Sequence, residues 1–215
     1  MKKIFAVALF VFLISGGVAS AHQPRLVGEN GPVIVSEPEI SKAYYGELKG
    51  EPAFFEINSA APFDLYVNVL SPDIAGAKKD FSVDIYFNDE LLKRLDGANY
   101  KWHLFYEPFG NDTYWWGPEY REPAAPAGKY KIAVSSPENS GRYSLAIGEA
   151  ENFSPKEILN AVKVIPKLKT DFFGKPAYDA LFGVAGSWLM GAVLGFFAAI
   201  FAICLVRKLI KIKLK

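Results

Sequence analysis

Short stretches of alternating apolar and polar residues fill the middle of the chain and predict β-strands. Leu65, Val67 and Val69, for example, are apolar at every second position. A period of two places such side chains on one face of a strand. We predict strands over Lys42–Leu48, Ala53–Asn58, Asp64–Leu70, Phe81–Phe87, Glu90–Leu95, Lys129–Ser135 and Arg142–Ile147. Because no helical period interrupts them, the fold class is mainly β, an antiparallel β-sandwich of the jelly-roll type.

Turn-forming residues separate these strands and precede them. Asn88 and Asp89 stand between two of the runs and predict a tight hairpin turn. Before the first predicted strand, residues 22–41 are rich in proline, glycine and glutamate. Their one short apolar run, Val33–Val35, predicts an edge strand within an extended segment.

A second apolar pattern, near the end of the chain, has no polar alternation. Ala180–Val206 holds 27 residues without an aspartate, glutamate, lysine, arginine or histidine. About 20 helical residues cross a hydrocarbon core about 30 Å thick. The run therefore predicts one transmembrane helix in contact with membrane lipid.

The first 21 residues predict export. Lys2 and Lys3 precede the apolar stretch Ile4–Ile14, and the small residues Ala19–Ala21 follow. This is the layout of a secretory signal peptide, although an uncleaved signal anchor is the alternative. Together with the span, it predicts a single-pass plasma membrane protein whose N-terminal domain is extracytoplasmic and whose C-terminus is cytoplasmic.

A short helix is predicted between the sandwich and the span. Ser154, Pro155 and Glu157 form a capping box, and Pro166 is expected to end the helix after about three turns. The helix is expected to pack against the sandwich, with the outer leaflet as the alternative. The predicted segments are a signal peptide at 1–21, the sandwich domain at 22–150, the helix and linker at 151–179, the transmembrane helix at 180–206 and a basic tail at 207–215.

Net charge limits the classes of partner, and cysteine content limits the interactions that stabilise the domain. The formal net charge is +1, with both signs scattered along the chain, so the sequence predicts no nucleic-acid partner. The single cysteine, Cys204, lies within the apolar run. The domain is therefore expected to be stabilised by burial of apolar and aromatic side chains, without an internal disulfide.

Two stretches carry a family resemblance. Pro126–Val134 followed by Gly141–Ile147 resembles the closing hairpin of the bacterial pre-peptidase C-terminal domain, a jelly-roll-like β-sandwich. Tyr45–Leu48, Phe54–Ile57 and Asp64–Val67 are similar to its opening strands. The resemblance implies an accessory module without chemistry of its own, and the chain order resembles that of uncharacterised envelope proteins.

An aromatic segment, Asn99–Pro126, departs from that resemblance and is expected to be a long loop. We select five of its aromatic residues as candidate ligand-binding residues: Trp102, Tyr114, Trp115, Trp116 and Tyr120. Such rings either close one end of the sandwich or form a recognition surface for a glycan or protein ligand.

Small residues recur at every fourth position within and beside the predicted span. They are Gly183, Ser187, Gly191, Gly195 and Ala199. Such a stripe allows another helix to approach closely, which predicts homo- or hetero-association through the transmembrane helix. The alternative is that glycine is simply common in membrane helices.

Two histidines offer the only candidate cofactor site, a copper site. His22 would be the first residue after signal cleavage, and His103 lies in the aromatic segment. An N-terminal amine with two imidazole groups suits copper and resembles copper-dependent polysaccharide monooxygenases and copper-resistance chaperones. The alternative is that His103 is a structural residue, in which case we expect no cofactor.

No catalytic residues are assigned from the sequence. A Ser-His-acid triad would have to use His103, and no nucleophile-elbow motif accompanies it. The leading prediction is therefore a non-enzymatic, membrane-anchored binding or accessory module of the cell envelope. A copper-binding sandwich protein and an anchored hydrolase are the alternatives.

Overall fold

The computed structural model describes residues 22–28, 31–152 and 154–213. These residues form a mainly β protein followed by two α-helices, as predicted. Two sheets pack face to face, one with strand order β1-β3-β11-β5-β9-β8 and one with order β2-β4-β10-β6-β7. The predicted signal peptide lies outside the described residues.

The element bounds follow the chain in order. The strands are β1 Gln23–Leu26, β2 Val33–Ile34, β3 Lys42–Lys49, β4 Ala53–Ser59, β5 Phe63–Pro72, β6 Ser82–Phe87, β7 Glu90–Leu95, β8 His103–Glu107, β9 Asp112–Ala125, β10 Gly128–Ser135 and β11 Ser140–Ile147. They are followed by α1 Pro155–Lys167, a π-helical turn Leu168–Phe172, a 3-10 helix Ala177–Leu181 and α2 Val184–Lys213.

All seven strands predicted from alternation are present, and their bounds shift by no more than two residues. The β6–β7 hairpin turns at Asn88 and Asp89, which both have positive φ, at 46° and 68°. Such a pair matches the tight turn predicted there. Val33–Ile34 forms the predicted edge strand, and it pairs in parallel with β4.

The main core lies between the two sheets and contains the alternating apolar residues. Leu65, Val67 and Val69 of β5 face Val83 and Ile85 of β6 within one buried cluster. All five side chains are essentially inaccessible to solvent. Burial of this many apolar side chains is the main free-energy source for a domain without a described disulfide.

The six-stranded sheet is buried on its outer face as well. Tyr66 and Leu70 of β5 point away from the main core and pack with Leu168, Phe172 and Phe173. The chain that follows the sandwich therefore folds back over this face. This second cover explains why β5 is buried almost continuously along its length.

The aromatic segment Asn99–Pro126 is a β-hairpin, so the prediction of a long loop was wrong. β8 and β9 pair antiparallel from His103 opposite Trp116 to Glu107 opposite Asp112. Aromatic residues favour strands, and a bulge in β9 accommodates the glycine and proline that obscured the pattern. At that bulge Asn68 donates its side-chain amide to the carbonyls of residues 117 and 118.

The short helix begins as predicted but ends later. The hydroxyl of Ser154 accepts a hydrogen bond from the Glu157 N–H at 3.3 Å, which confirms the N-terminal cap. The expected stop at Pro166 was wrong, because α1 runs to Lys167 and continues into the π-helical turn. Burial of Leu168 and Phe172 against the sheet outweighs the proline's helix-ending tendency.

A glycine before β8 tests the packing of the sandwich edge. A Cβ at Gly97 would lie 1.7 Å from the Phe81 carbonyl oxygen. We therefore expect Gly97→Ala to lower the free energy of unfolding by about 1–3 kcal/mol, as overpacked sites do. Gly28→Ala is the matched control, since no described atom lies within 4 Å of its Cβ position. Equal denaturant midpoints for the two variants would contradict this packing.

Candidate functional site

The sandwich docks directly on the beginning of α2 through the β8–β9 turn. The N–H of Val184 donates to the Pro108 carbonyl at 3.0 Å, and the N–H of Ala185 donates to the Phe109 carbonyl at 3.2 Å. The first N–H groups of a helix lack partners within the helix. The turn therefore satisfies two donors at the start of α2.

Close packing accompanies these hydrogen bonds. A Cβ at Gly183 would lie 2.3 Å from the Phe109 carbonyl oxygen, so the contact requires glycine there. Phe109 also packs with Ala161 and Ile165 of α1, and Val184 joins the same cluster. The β8–β9 turn, α1 and the first turn of α2 thus form one packed unit, which we call the junction.

A buried ion-pair network stabilises the junction. The fully buried Lys169 ammonium lies 2.7 Å from Asp112 Oδ2 and donates to the Asn111 carbonyl at 3.2 Å. Lys175 contacts the other oxygen, Asp112 Oδ1, at 2.9 Å. Both oxygens of a buried carboxylate are thereby paired with ammonium groups from the chain that leads to α2.

Glu107 organises the turn itself. Its two carboxylate oxygens accept the N–H groups of Phe109 and Gly110, each at 2.7 Å. Burial raises the pKa of Glu107, and these two hydrogen bonds oppose the shift. Nearby, the Tyr114 hydroxyl donates to the Tyr45 hydroxyl at 3.2 Å, and burial raises the pKa of both. A cavity of about 30 Å³ beside them has room for about one water.

A groove of about 890 Å³ lies beside β3 and β4, and we call it the edge groove. Its lining combines apolar side chains, such as Leu48 and Phe54, with the charged Glu47 and Arg142. Arg142 is held in place because Nη1 donates to the Phe172 carbonyl at 2.9 Å. Arg142 Nε also lies 3.8 Å from Glu47 Oε1, so the groove presents apolar side chains beside a solvent-accessible ion pair.

One buried polar atom in the lining of the edge groove lacks a partner. The Tyr143 hydroxyl has no hydrogen bond to any described residue, although the side chain is fully buried. Gly46 leaves the space for it, because a Cβ there would lie 2.6 Å from that hydroxyl oxygen. An unpaired buried hydroxyl is a free-energy cost that an ordered water can remove.

A second concavity, of about 410 Å³, lies under the first turn of α1 and is more polar. Its charged groups already bind one another: Arg25 Nη1 lies 2.8 Å from Glu157 Oε2. The buried Lys42 ammonium donates to the carbonyls of Ser36 and Glu37 at 2.8 and 2.7 Å. Burial lowers the pKa of Lys42. These contacts give the concavity a structural role.

The five candidate aromatic residues occupy three separate environments. Trp102 and Tyr120 pack against the main core, and Trp102 Nε1 donates to the Gly97 carbonyl at 2.8 Å. Tyr114 and Trp116 belong to the cluster on the outer face of the six-stranded sheet. These four contribute to packing, and a ligand-binding role for them stays a prediction.

Trp115, the fifth candidate, belongs to neither of these two clusters. Its indole N–H donates to Asp73 at 3.0 Å, and the Lys79 ammonium lies 3.9 Å from the ring centroid. The indole is half-buried. It therefore presents a partly covered ring at the surface, away from the edge groove lining.

The two histidines lie at different edges of the six-stranded sheet. His22 precedes the edge strand β1, and its Nδ1 forms a hydrogen bond of 2.5 Å with the Ser41 hydroxyl. His103 begins the opposite edge strand β8, where its ring stacks beside Trp116 with centroids 6.3 Å apart. Within the described part of the chain, no three histidine, cysteine or carboxylate groups are gathered for a metal. Copper binding stays a prediction.

The stripe of small residues divides between the junction and α2. Gly183 precedes α2 and is buried at the junction. Ser187, Gly191, Gly195 and Ala199 lie within α2, and space around Gly195 is open. Helix association through these four stays a prediction. The helix begins four residues later than the predicted span and continues into the basic tail.

Sequence reasoning missed the junction residues Asp112, Lys169 and Lys175. A carboxylate and two lysines separated by about 60 residues form no recognisable motif. The available signal was Lys169 itself, because it stands between the apolar residues Leu168 and Phe172 in a segment that was expected to be a linker.

We expect the loss of the Lys169 ammonium to destabilise the junction. Lys169→Met leaves Asp112 buried with a single partner, Lys175, which is itself partly exposed. Breaking a buried pair in this way costs about 3–5 kcal/mol of unfolding free energy. Lys167→Met removes an exposed ammonium two residues earlier and is the control. Equal free energies of unfolding for Lys169→Met and Lys167→Met in chemical denaturation would contradict a stabilising role of this ion pair.

Protonation of His22 should destabilise the fold. Burial lowers the pKa of His22 from 6.5 to about 4, although Glu149 and Glu151 oppose the shift. Between pH 6.5 and about pH 4, the imidazole of His22 is therefore mostly protonated in the unfolded chain and mostly neutral in the folded chain. Stability from this group is present above pH 6.5 and is lost as the pH falls towards 4.

The contribution of His22 is measured by unfolding each variant across this pH range. His22→Asn should show a shallower loss of unfolding free energy on acidification than the unmodified chain. His103→Asn, at an exposed position, should keep the original slope. Identical slopes for His22→Asn and the unmodified chain would show that folding does not lower the pKa of His22.

Among the comparisons with known proteins, only the one with solved structures finds proteins that are similar to this chain. No family model matches the chain, and no curated protein matches it significantly. Aeromonas hydrophila PliG, a periplasmic inhibitor of g-type lysozyme, is 15% identical, with 58% of this chain and 97% of that chain covered and a TM-score of 0.36. Scores this low establish no family.

Two further solved structures show similarly low scores. The pre-peptidase C-terminal domain of collagenase from Bacillus anthracis is 14% identical, covers 60% of this chain and 95% of its own, and has a TM-score of 0.31. CorA, a surface-associated copper-binding protein of Methylomicrobium album BG8, is 7% identical, covers 59% and 100%, and has a TM-score of 0.30. The structures similar to this chain thus include the domain that its sequence resembles.

Proposed function

We propose that the protein is a non-enzymatic binding module, anchored in the plasma membrane by α2, that presents the edge groove to a protein ligand outside the cytoplasm. The observation that carries this proposal is the junction, which joins the sandwich to α2 without a free linker. A module mounted in this way holds its groove at a set orientation to α2.

The composition of α2 supports anchoring. Val184–Cys204 comprises 21 residues, is apolar enough to cross a membrane, and is not buried against the rest of the protein. Large side chains such as Leu194 and Phe201 are about two-thirds exposed. Leaving so much apolar surface in water is unfavourable by about 25 cal/mol per Å². A lipid environment removes that cost.

Charge supports the proposed orientation. Five basic residues follow the predicted span: Arg207, Lys208, Lys211, Lys213 and Lys215. Three, Lys167, Lys169 and Lys175, precede it closely. The larger basic cluster belongs on the cytoplasmic side. Because Lys169 and Lys175 are paired with Asp112, the outer side is effectively less basic than the count suggests.

The edge groove supports a protein ligand with an extended segment. Apolar Leu48 and Phe54 lie beside the charged Glu47 and Arg142, which is the mixture that a peptide chain presents in return. The predicted glycan ligand is the alternative outcome of the experiment below.

A photo-crosslinking comparison in the native membrane tests the proposal. Phe54→p-benzoylphenylalanine places the reactive group in the edge groove, and Leu91→p-benzoylphenylalanine places it on β7, the edge strand at the far side of the same five-stranded sheet. Both side chains are exposed. We expect one discrete adduct from position 54 and none from position 91, because the ligand is bound by the groove.

A second groove position, Glu47, guards against an unfavourable geometry at position 54. Adducts of equal yield at positions 54 and 91 would indicate non-specific collision. The absence of any adduct at positions 47 and 54 would overturn the assignment of the groove. An adduct whose added mass is digested by glycosidases and resists proteases would replace the protein ligand with a glycan.

A further inference from the structure

The short helix α1 has two apolar faces, and the sandwich covers one of them. Ala161 and Ile165 are buried at the junction. Ile158, Leu159 and Val162 are exposed, with Leu159 63% accessible. Spacings of three and four residues place Ile158 and Val162 beside the buried face, which continues outward as an apolar stripe.

A second exposed apolar group immediately precedes α2. Tyr178 and Leu181 belong to the 3-10 helix, and Phe182 follows it, 69% accessible. Only Gly183 separates Phe182 from the first residue of α2. At a rise of about 1.5–2 Å per residue, these side chains lie within about 10 Å of the beginning of the candidate span.

The exposed apolar residues of α1 and those that precede α2 belong to elements that pack against each other. α1 packs against both the 3-10 helix and α2. Within the shared cluster, Ala161 and Ile165 contact Ala180 and Val184. The exposed stripe of α1 therefore starts one helical turn from residues that touch the first turn of α2. Continuity with α2 places the stripe where the candidate span enters the membrane.

We propose that this combined surface, which we call the interfacial surface, lies in the headgroup region of the leaflet that α2 enters. Its members are Ile158, Leu159, Val162, Tyr178, Leu181 and Phe182. Its occupant is anionic phospholipid, with the apolar side chains reaching the acyl boundary. The inference rests on the proposed anchoring by α2, and it adds a second attachment that α2 alone does not provide.

Charge around α1 matches that occupant. Lys156, Lys163 and Lys167 are exposed on the same helix. An amphipathic helix with lysines beside an apolar face binds in the interface plane, with its apolar side about 5–10 Å deep, and is attracted to anionic lipid. A transmembrane helix together with a surface helix fixes the tilt of the sandwich, which a single span leaves free.

Depth-dependent fluorescence quenching tests the interfacial surface in the full chain. Cys204→Ser removes the only cysteine, and single cysteines are then labelled with pyrene maleimide, whose emission a nearby doxyl group quenches. The test variant is Leu159→Cys, and the matched control is Leu91→Cys on β7, which is 56% exposed. The protein is reconstituted in vesicles of phosphatidylcholine and phosphatidylglycerol that contain a doxyl lipid quencher near the headgroup.

We expect the label at position 159 to lose about half of its emission, because a depth of about 5–10 Å brings it beside the shallow quencher. The label at position 91 should keep its emission. A label at Leu194→Cys, in the middle of the candidate span, reports on anchoring separately and should respond to a doxyl group placed deep in the acyl chain. Leu159 is exposed, so its substitution should not disturb folding.

The outcomes separate the two claims. If position 194 is quenched while position 159 behaves like position 91, the interfacial surface is wrong and the anchoring by α2 remains. If position 194 is not quenched, the proposed membrane anchoring fails as well. If position 159 is unquenched and its labels form excimers, a second copy of the chain covers the stripe, and the lipid assignment is overturned.

Discussion

The whole arrangement depends on the contact between the β8–β9 turn and the beginning of α2. Two backbone carbonyls of the turn accept the first N–H groups of α2, and Asp112 at the end of the turn pairs with Lys169 and Lys175. A buried carboxylate is tolerated because both of its oxygens are paired. The residues of this turn therefore close the β8–β9 hairpin, hold a buried carboxylate and accept the first N–H groups of α2.

This contact joins the β-sandwich and the apolar helix α2 into one packed unit. The π-helical turn covers the outer face of the six-stranded sheet, so Leu168 and Phe172 belong to the domain's packing as much as β5 does. A ligand in the edge groove would touch this segment too, because Arg142 connects the groove to the Phe172 carbonyl. The edge groove and the segment that leads to α2 are thus linked through contiguous contacts.

Local pattern was enough to predict seven strands of the sandwich, because a period of two marks β5, β6, β10 and β11 and turn residues bound the others. It failed at β8 and β9, where the glycine and proline of the bulge interrupt the alternation, and at Pro166, where burial of Leu168 overrides a local stop signal. The junction was not predictable, since Asp112 meets Lys169 only after the chain folds back across the sheet.

A spin-label distance measurement tests the single-unit account most directly. Labels are placed on the sandwich at Leu91→Cys and on α2 at Val193→Cys, in the Cys204→Ser background, and the full chain is reconstituted in a lipid nanodisc. A junction that fixes the sandwich on α2 predicts one narrow distance distribution, which Lys169→Met broadens. A broad distribution in the unmodified junction would show that the sandwich moves freely on its anchor and would contradict the account.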